Sequence, residues 1–182
     1  FDLLVRTAGL HPNKILATNP DVGGKITSQI NEFLAAAPTR NIIGVTGTKG
    51  KGTTSTLITK MLEATGKHVF VGGNIGVPPL KFIHELHKDS WVVLELSSFQ
   101  LIDLQRSPHI AVCLMVVPEH LNWHRDMNEY LGAKSQLFAH QTADDIAVYL
   151  AGSDNAKQIV GMGSGQKVPY FSPPVATVDN GV

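Results

Sequence analysis

The chain has 182 residues, with 15 Lys and Arg against 15 Asp and Glu and no net formal charge. That length suits one medium domain, or one domain plus part of another, with a sizeable buried core. The balanced charge gives no footprint for nucleic acid or an acidic membrane surface, and no apolar run approaches the ~20 residues that cross a bilayer.

In chain order, Phe1 to Val5 is a short apolar run and Arg6 to Pro12 a loop. Pro20 to Gly24 reads as a turn. Ile26, Ile30, Phe33, Leu34 and Ala37 share one face of a predicted helix over 26–37, which Pro38 ends. This opening segment is too short for a domain. The chain also starts at Phe1 without methionine, so both ends are expected to be cuts through a longer protein. Asn41 to Val45 reads as a buried strand, and Leu57, Ile58, Met61 and Leu62 give a helix over 54–65. Further strands are predicted at 67–71, 91–96, 110–117 and 146–150, with an edge strand at 168–171. Helices are predicted at 80–87 and 127–140, with a helical turn at 101–104. Cys113, the single cysteine, falls inside an apolar strand and cannot make an internal disulfide, which fits a reducing compartment. Alternating strands and helices argue for an open, mostly parallel α/β sheet flanked by helices, with chemistry at the strands' carboxyl ends.

The stretch Gly44 to Thr56 joins a strand to a helix through glycines. That arrangement aims backbone N–H groups and a helix N-terminus at an anion. Lys51 adds a positive charge, and Thr53 or Thr54 a hydroxyl within reach of magnesium. The strict P-loop spacing fails, because Val45 and Gly52 occupy positions where it needs Gly and Ser or Thr. The physical reading is a triphosphate cradle; the bland one is an ordinary glycine-rich turn. Glu95 interrupts the apolar strand Trp91 to Leu96, either as a metal ligand or as a charge tolerated at the strand end. Ser97, Ser98 and Gln100 add neutral polar groups at that rim. Glu119, His120 and His124 follow the strand ending at Val117. Spacing alone makes Lys134 a surface lysine on an amphipathic helix.

Five strings occur in order: Gly47-Thr-Lys-Gly-Lys-Gly-Thr-Thr54, Gly72-Gly-Asn-Ile-Gly-Val-Pro78, Leu94-Glu-Leu-Ser-Ser-Phe-Gln-Leu101, Glu119-His-Leu121 and Tyr130-Leu-Gly-Ala-Lys134. Together they resemble the central domain of Mur ligases, and within that family its D-glutamate-adding members. The resemblance runs from about Thr7 to about Pro173 and is strongest between Gly44 and Lys134. It implies a P-loop ATPase-like α/β domain, truncated here to 40–182, preceded over 1–39 by the tail of an N-terminal α/β domain that holds a uridine nucleotide. A third, amino-acid-binding domain is expected to be absent from this chain, which alone should be inactive.

The resemblance also implies roles. Gly47, Thr48, Lys49, Gly50, Lys51, Gly52, Thr53 and Thr54 would bind ATP, with Lys51 on the β- and γ-phosphates. Glu95 would hold one magnesium ion and His120 a second, with Thr53 a substitute hydroxyl ligand. Lys134 matches a lysine that the family carbamylates, which turns a cation into an anionic oxygen ligand for magnesium. Asn74, Ser97, Gln100 and Thr7 would face the substrate UDP-N-acetylmuramoyl-L-alanine, with Gly9 near its diphosphate. The catalytic set is then Lys51, Glu95, His120 and Lys134, acting with ATP and two Mg2+ to add D-glutamate through an acyl phosphate in peptidoglycan synthesis. A cytoplasmic monomer with no nucleic-acid partner and no membrane insertion is expected.

Three features depart from the family pattern. Lys49 stands where Asn is usual, Gly52 where Ser or Thr is usual, and Val117 to Trp123 replaces Thr-Glu-Asp-His-Leu-Asp-Arg. These keep open a folylpolyglutamate synthase-like ligase and a non-catalytic ATP-binding module.

Overall fold

The computed structural model describes residues 2–171. Phe1, Pro173 and the remainder of the expected domain to Val182 lie outside them. The chain begins with strand β1 (Leu4–Arg6), helix α1 (Pro12–Thr18), strand β2 (Ile26–Ser28) and helix α2 (Gln29–Ala36). β1 and β2 pair in parallel as a two-stranded sheet. The helix expected from Ile26 therefore starts three residues late. Ile26, Thr27 and Ser28 are extended, and the Ser28 hydroxyl caps α2 by accepting from Asn31 N at 3.2 Å. α1 carries no predicted element because it buries no residue and so leaves no apolar period.

The main sheet follows: β3 (Ile42–Thr46), α3 (Lys51–Ala64), β4 (Val69–Gly73), β5 (Trp91–Glu95), α4 (Ser98–Leu101), β6 (Ile110–Cys113), α5 (Met127–Ala139), β7 (Ile146–Leu150), α6 (Asp154–Val160) and β8 (Gln166–Tyr170). Its strands are parallel in the order β4-β5-β3-β6-β7-β8. From β3 the chain first moves one way, to β4 and β5, then crosses to β6, β7 and β8. The topological switch therefore lies at β3, where open α/β sheets place their ligand crevice. Register brings one rim together, with Val45 opposite Glu95, Glu95 opposite Gly73, and Thr46 opposite Cys113.

Both faces of β3 are covered. Leu94, Leu96, Ala111 and Cys113 pack with Phe33, Tyr130, Leu137 and Phe138 in the larger core, while Ile43, Val45 and Val112 pack under Ile58 and Leu62 of α3. Leu57 and Met61 of the predicted α3 stripe are exposed instead, because α3 turns Ser55, Ile58, Thr59 and Leu62 toward the sheet.

Other expectations shift. The helix over 80–87 is two 3-10 turns, Pro79–Lys81 and Ile83–Glu85, which bury Phe82 and Leu86 without the length for a full helix. The turn over 101–104 lies earlier, as α4. The strand over 110–117 stops at Cys113. Beyond Cys113 its neighbour β3 has already turned away, and residues 114–117 leave the ladder to hold the loop after β3, as Leu114 N donates to Thr46 O (2.9 Å) and Met115 O accepts from Thr48 N (2.8 Å). α6 escaped prediction, although Ser153 caps it by accepting from Ala156 N at 3.2 Å.

Candidate functional site

The loop Gly47–Gly50 leaves β3 and delivers Lys51 to the first position of α3. Gly50 is the N-cap with φ 85°, and no side chain caps the helix, so the first N–H groups are left for another acceptor. Thr48 pins the loop. Its hydroxyl donates to Val117 O (3.0 Å), accepts from Val117 N (3.0 Å) and meets Tyr130 Oη at 2.9 Å. Lys51 folds back over the loop, donating to Gly47 O (3.2 Å) and Thr48 O (3.1 Å). Thr53 is exposed and Thr54 half-buried. Lys49, in the position where Asn was expected, forms an exposed pair with Glu119 at 2.8 Å. The Lys49 hydrogen bond holds the Glu119 carboxyl below its ordinary pKa.

Glu95 is buried at the tip of β5, 4% exposed, so the exposed strand-end alternative does not hold. Its Oε1 accepts from Asn74 Nδ2 at 3.0 Å. Asn74 reaches it because Gly73 turns at φ 106°, where a Cβ would come within 2.1 Å of Glu95 O. The loop thus closes over the β5 tip through a contact only glycine permits. Glu95 Oε2 faces Gly52, where a Cβ would sit 3.2 Å away. The missing side chain leaves a small cradle between a buried carboxylate and the first turn of α3.

Lys134 is not on the surface. It is 1% exposed on α5, and its Nζ donates to Gly47 O at 3.0 Å and Thr46 Oγ1 at 3.5 Å while lying 4.6 Å from the centre of the Tyr130 ring. Burial, and then the charge of Lys51, lower its pKa to about 7. Lys51 and Lys134 thus share one carbonyl acceptor. Tyr130, which sequence reading did not single out, links Thr48 to Lys134. Its signal was its place one helical turn before the lysine. Cys113 is the buried strand residue expected, with desolvation pushing its thiol up to about 12.

His120 sits at φ 58°, the only non-glycine residue at positive φ among the described residues. Its ring packs 4.7 Å from that of Phe99. His124 is buried, donates to or accepts from Ser98 Oγ at 2.8 Å, and has its pKa lowered to about 4 chiefly by desolvation. Ser97 and Gln100 form a capping box on α4, in which Gln100 Oε1 accepts from Ser97 N (3.0 Å) and Oγ (3.1 Å). Gln100 and Thr7 line one cavity of about 320 Å³ with Arg6, Ala8, Ser28 and Gln29.

Among the described residues no three His, Cys, Asp or Glu side chains converge as a protein-built metal cluster. Magnesium does not require one, since it keeps several waters and binds through one or two carboxylates and substrate phosphates. The cradle beside Glu95 Oε2 fits that mode.

The model of the Mur ligase middle domain matches residues 45–174. The chain belongs to the Mur ligase family. UDP-N-acetylmuramoylalanine--D-glutamate ligase of Acetivibrio thermocellus is 42% identical over 174 residues, covering 94% of this chain and 37% of that protein. The enzyme of the same name from Clostridium kluyveri is 38% identical, again over 94% of this chain and 37% of its own length. This Mur ligase chain thus spans little more than a third of those relatives. Two solved structures share the fold. Thermotoga maritima MurF ligase in complex with ADP gives a TM-score of 0.61 at 22% identity, over 81% of this chain and 38% of that one. E. coli FolC in complex with DHPP and ADP gives 0.55 at 14% identity, over 91% and 52%. The mostly parallel α/β sheet expected from the sequence is the family's fold. No helix among the described residues is long and apolar enough to cross a membrane.

Proposed function

We propose that this chain is the ATP-binding core of a ligase that joins D-glutamate to UDP-N-acetylmuramoyl-L-alanine in peptidoglycan synthesis. The observation that carries the reading is the pair of lysines, Lys51 and Lys134, meeting on the Gly47 carbonyl at the N-terminus of α3. The partly buried Lys51 cation next to free helix N–H groups is chemistry for a polyphosphate, and the buried Lys134 amine beside it sets a second kind of donor at the same carbonyl. Residues 1–39 then close a nucleotide-substrate domain, residues 40–182 form most of a central domain, and the amino acid is brought by a part of the protein outside this chain. A cytoplasmic monomer completes the proposal.

In this reading the loop Gly47 to Thr54 holds the phosphates of ATP through Lys51 and the uncommitted amides of Lys49 to Thr53, while Thr48 N stays on Met115 O and Thr54 N on Gly50 O. Glu95 would hold one magnesium ion, with Thr53 as a candidate hydroxyl ligand, and His120 with Lys134 would hold a second. Bound magnesium supplies charge neutralisation on the phosphate oxygens. A lysine whose pKa is about 7 is substantially neutral at working pH, so its nitrogen can add to the carbon of CO2 and release a proton. The resulting carbamate offers anionic oxygen where the ammonium stood. Asn74, Ser97, Gln100 and Thr7 face the muramoyl nucleotide.

The reaction has two steps. A carboxylate oxygen of the L-alanyl substrate attacks the γ-phosphorus of ATP, the bond to ADP breaks, and an acyl phosphate forms. The D-glutamate amine then attacks the acyl carbon, phosphate leaves, and the amide forms with loss of a proton. Lys51 offsets charge on the transferring group, and the enclosed rim holds two anions that repel each other in solution.

The test uses the complete protein that contains this chain. Phosphate release is measured with Mg-ATP and UDP-N-acetylmuramoyl-L-alanine, adding D- or L-glutamate. Release that needs the muramoyl substrate and the D isomer is expected. Release with L-glutamate on a folate substrate would replace this reading by the folylpolyglutamate synthase-like one. ATP binding without release on either would mark a non-catalytic module.

A further inference from the structure

The Thr7–Leu10 loop contributes a wall of the cavity that holds Gln100, and two side chains with no place in the chemistry above fix that wall. Arg6, at the end of β1, has a fully buried side chain. It pairs with Asp103 through both carboxylate oxygens, each at 2.5 Å, and its Nη2 also donates to Phe99 O at 2.9 Å. Its remaining nitrogen, Nη1, faces three carbonyls of the loop: Thr7 O (3.1 Å), Leu10 O (3.2 Å) and Ala8 O (3.4 Å). The fourth carbonyl, Gly9 O, accepts from the indole Nε1 of Trp123 at 3.0 Å. Trp123 is held in turn against Phe99 and His11, with ring centres 4.6 Å apart in both cases.

Four consecutive carbonyls are thus drawn onto one guanidinium and one indole. The peptide N–H groups of Thr7, Ala8 and Gly9 donate to no acceptor among the described residues. Thr7 and Ala8 line the cavity of about 320 Å³. A loop with its carbonyls committed inward and its N–H groups free offers donors to an acceptor-rich ligand. Both anchors refer the loop to the same place. Phe99 and Asp103, which hold Arg6, flank Gln100 on either side in α4 and the turn after it. A shift of α4 would therefore move the loop and Gln100 together.

We propose that Arg6 and Trp123 are positioning residues that hold the Thr7–Leu10 loop as a donor wall, setting affinity for the muramoyl nucleotide and leaving ATP affinity alone. The inference rests on the ligase reading above. Arg6 and Trp123 touch neither reacting atom. Their effect passes through the loop's N–H groups.

The test compares the complete protein with Trp123→Phe, which keeps the aromatic packing but removes the indole donor, and Arg6→Lys, which keeps the charge but loses the forked contacts. KM for the muramoyl nucleotide, KM for ATP, kcat and Tm are measured for each. For Trp123→Phe the nucleotide KM is expected to rise roughly five- to tenfold, the effect of one lost hydrogen bond, with KM for ATP and kcat within about twofold. Arg6→Lys is expected to raise it further. An unchanged nucleotide KM in Trp123→Phe overturns the positioning role. So does a parallel rise in both KM values with a fall in Tm, because a purely structural tie would do that. If Arg6→Lys does not fold, Trp123→Phe decides alone. A parent protein that never turns over the muramoyl substrate overturns the ligase reading, and the positioning role with it. A parent that is active while the variants keep their nucleotide KM overturns the positioning role only.

Discussion

The two walls of the cradle at β3 are built on opposite plans. One wall, Gly47 to Thr54, offers backbone N–H groups and a lysine that is only partly buried and bends back onto its own loop. The other, from Val117 to Lys134, offers side chains that are already desolvated: Lys134 at 1% exposure, Tyr130 at 1% and His124 at 2%. Thr48 and Gly47 are where the walls meet. From Lys49 to Thr53 the first wall can rearrange around a ligand at little cost, because no backbone acceptor holds those N–H groups, whereas buried Thr48 anchors its start to Met115 and Val117. The buried wall has its desolvation cost built into the fold, so its lysine has its pKa shifted before anything binds. Charge that must adapt sits on the first, and charge that must be preset sits on the second.

The largest expected effect breaks the adaptable wall. Lys51→Ala in the complete protein should lower kcat/KM by roughly 10²–10³-fold, the usual cost of removing one electrostatic donor from a transferring group. Thermal stability should hardly change, since Lys51 donates only to carbonyls of its own loop. A variant that loses less than tenfold would place the transferred phosphate elsewhere.

Next comes the hinge that closes Asn74 over Glu95. Gly73→Ala forces a side chain into positive φ and within 2.1 Å of the Glu95 carbonyl. A loss of about 3 kcal/mol or more is expected in denaturant unfolding, because neither the backbone angle nor the neighbouring strand can yield. Full stability in this variant would mean that the loop takes another path.

The preset wall is tested by pH. Lys134 has its pKa lowered from 10.5 to about 7. Between those values the unfolded chain holds a proton that the folded chain has released, so stability rises with pH across that window. Below about 7 both states hold it, and the burial cost is fully present. Melting in CO2-free buffer from pH 7 to pH 10 should therefore show Lys134→Met ahead of the parent by a margin that shrinks as pH rises. A constant margin would mean that Lys134 stays protonated in the fold. Adding ¹³C-bicarbonate should give a carbamate resonance in the parent that Lys134→Met lacks.

The same division governs what could be read from the sequence. Local patterns revealed β3, the loop and α3, because a strand, a glycine turn and a helical period are all contained in some 20 consecutive residues. Glu95 was legible as a charge out of place in an apolar strand. Lys134 was not: on helical spacing it belonged to the solvent face, and only the packing of α5 against β3, through Leu137 and the missing side chain of Gly44, buries it. Only the resemblance drew attention to it. Arg6 and Trp123 were invisible for a related reason. Their partners lie 97 and 114 residues away, and no local period records a contact of that range. Strand 110–117 was overextended because apolarity alone cannot tell a ladder from a segment that leaves the sheet to hold a loop.

The smallest effect concerns Gly52, where the walls come closest to Glu95. Replacing a helical glycine by alanine ordinarily gains about 0.5–1 kcal/mol. Here the new Cβ meets Glu95 Oε2 at 3.2 Å, and that carboxylate is held on its other oxygen by Asn74, so it cannot retreat freely. The two terms nearly cancel, and Gly52→Ala should unfold within about 0.5 kcal/mol of the parent. The cradle beside the carboxylate is nonetheless filled. Magnesium titration followed by calorimetry in the presence of ADP should then weaken by roughly two- to fivefold, an effect separable from stability and from turnover. Unchanged magnesium binding would take the metal away from Glu95 Oε2.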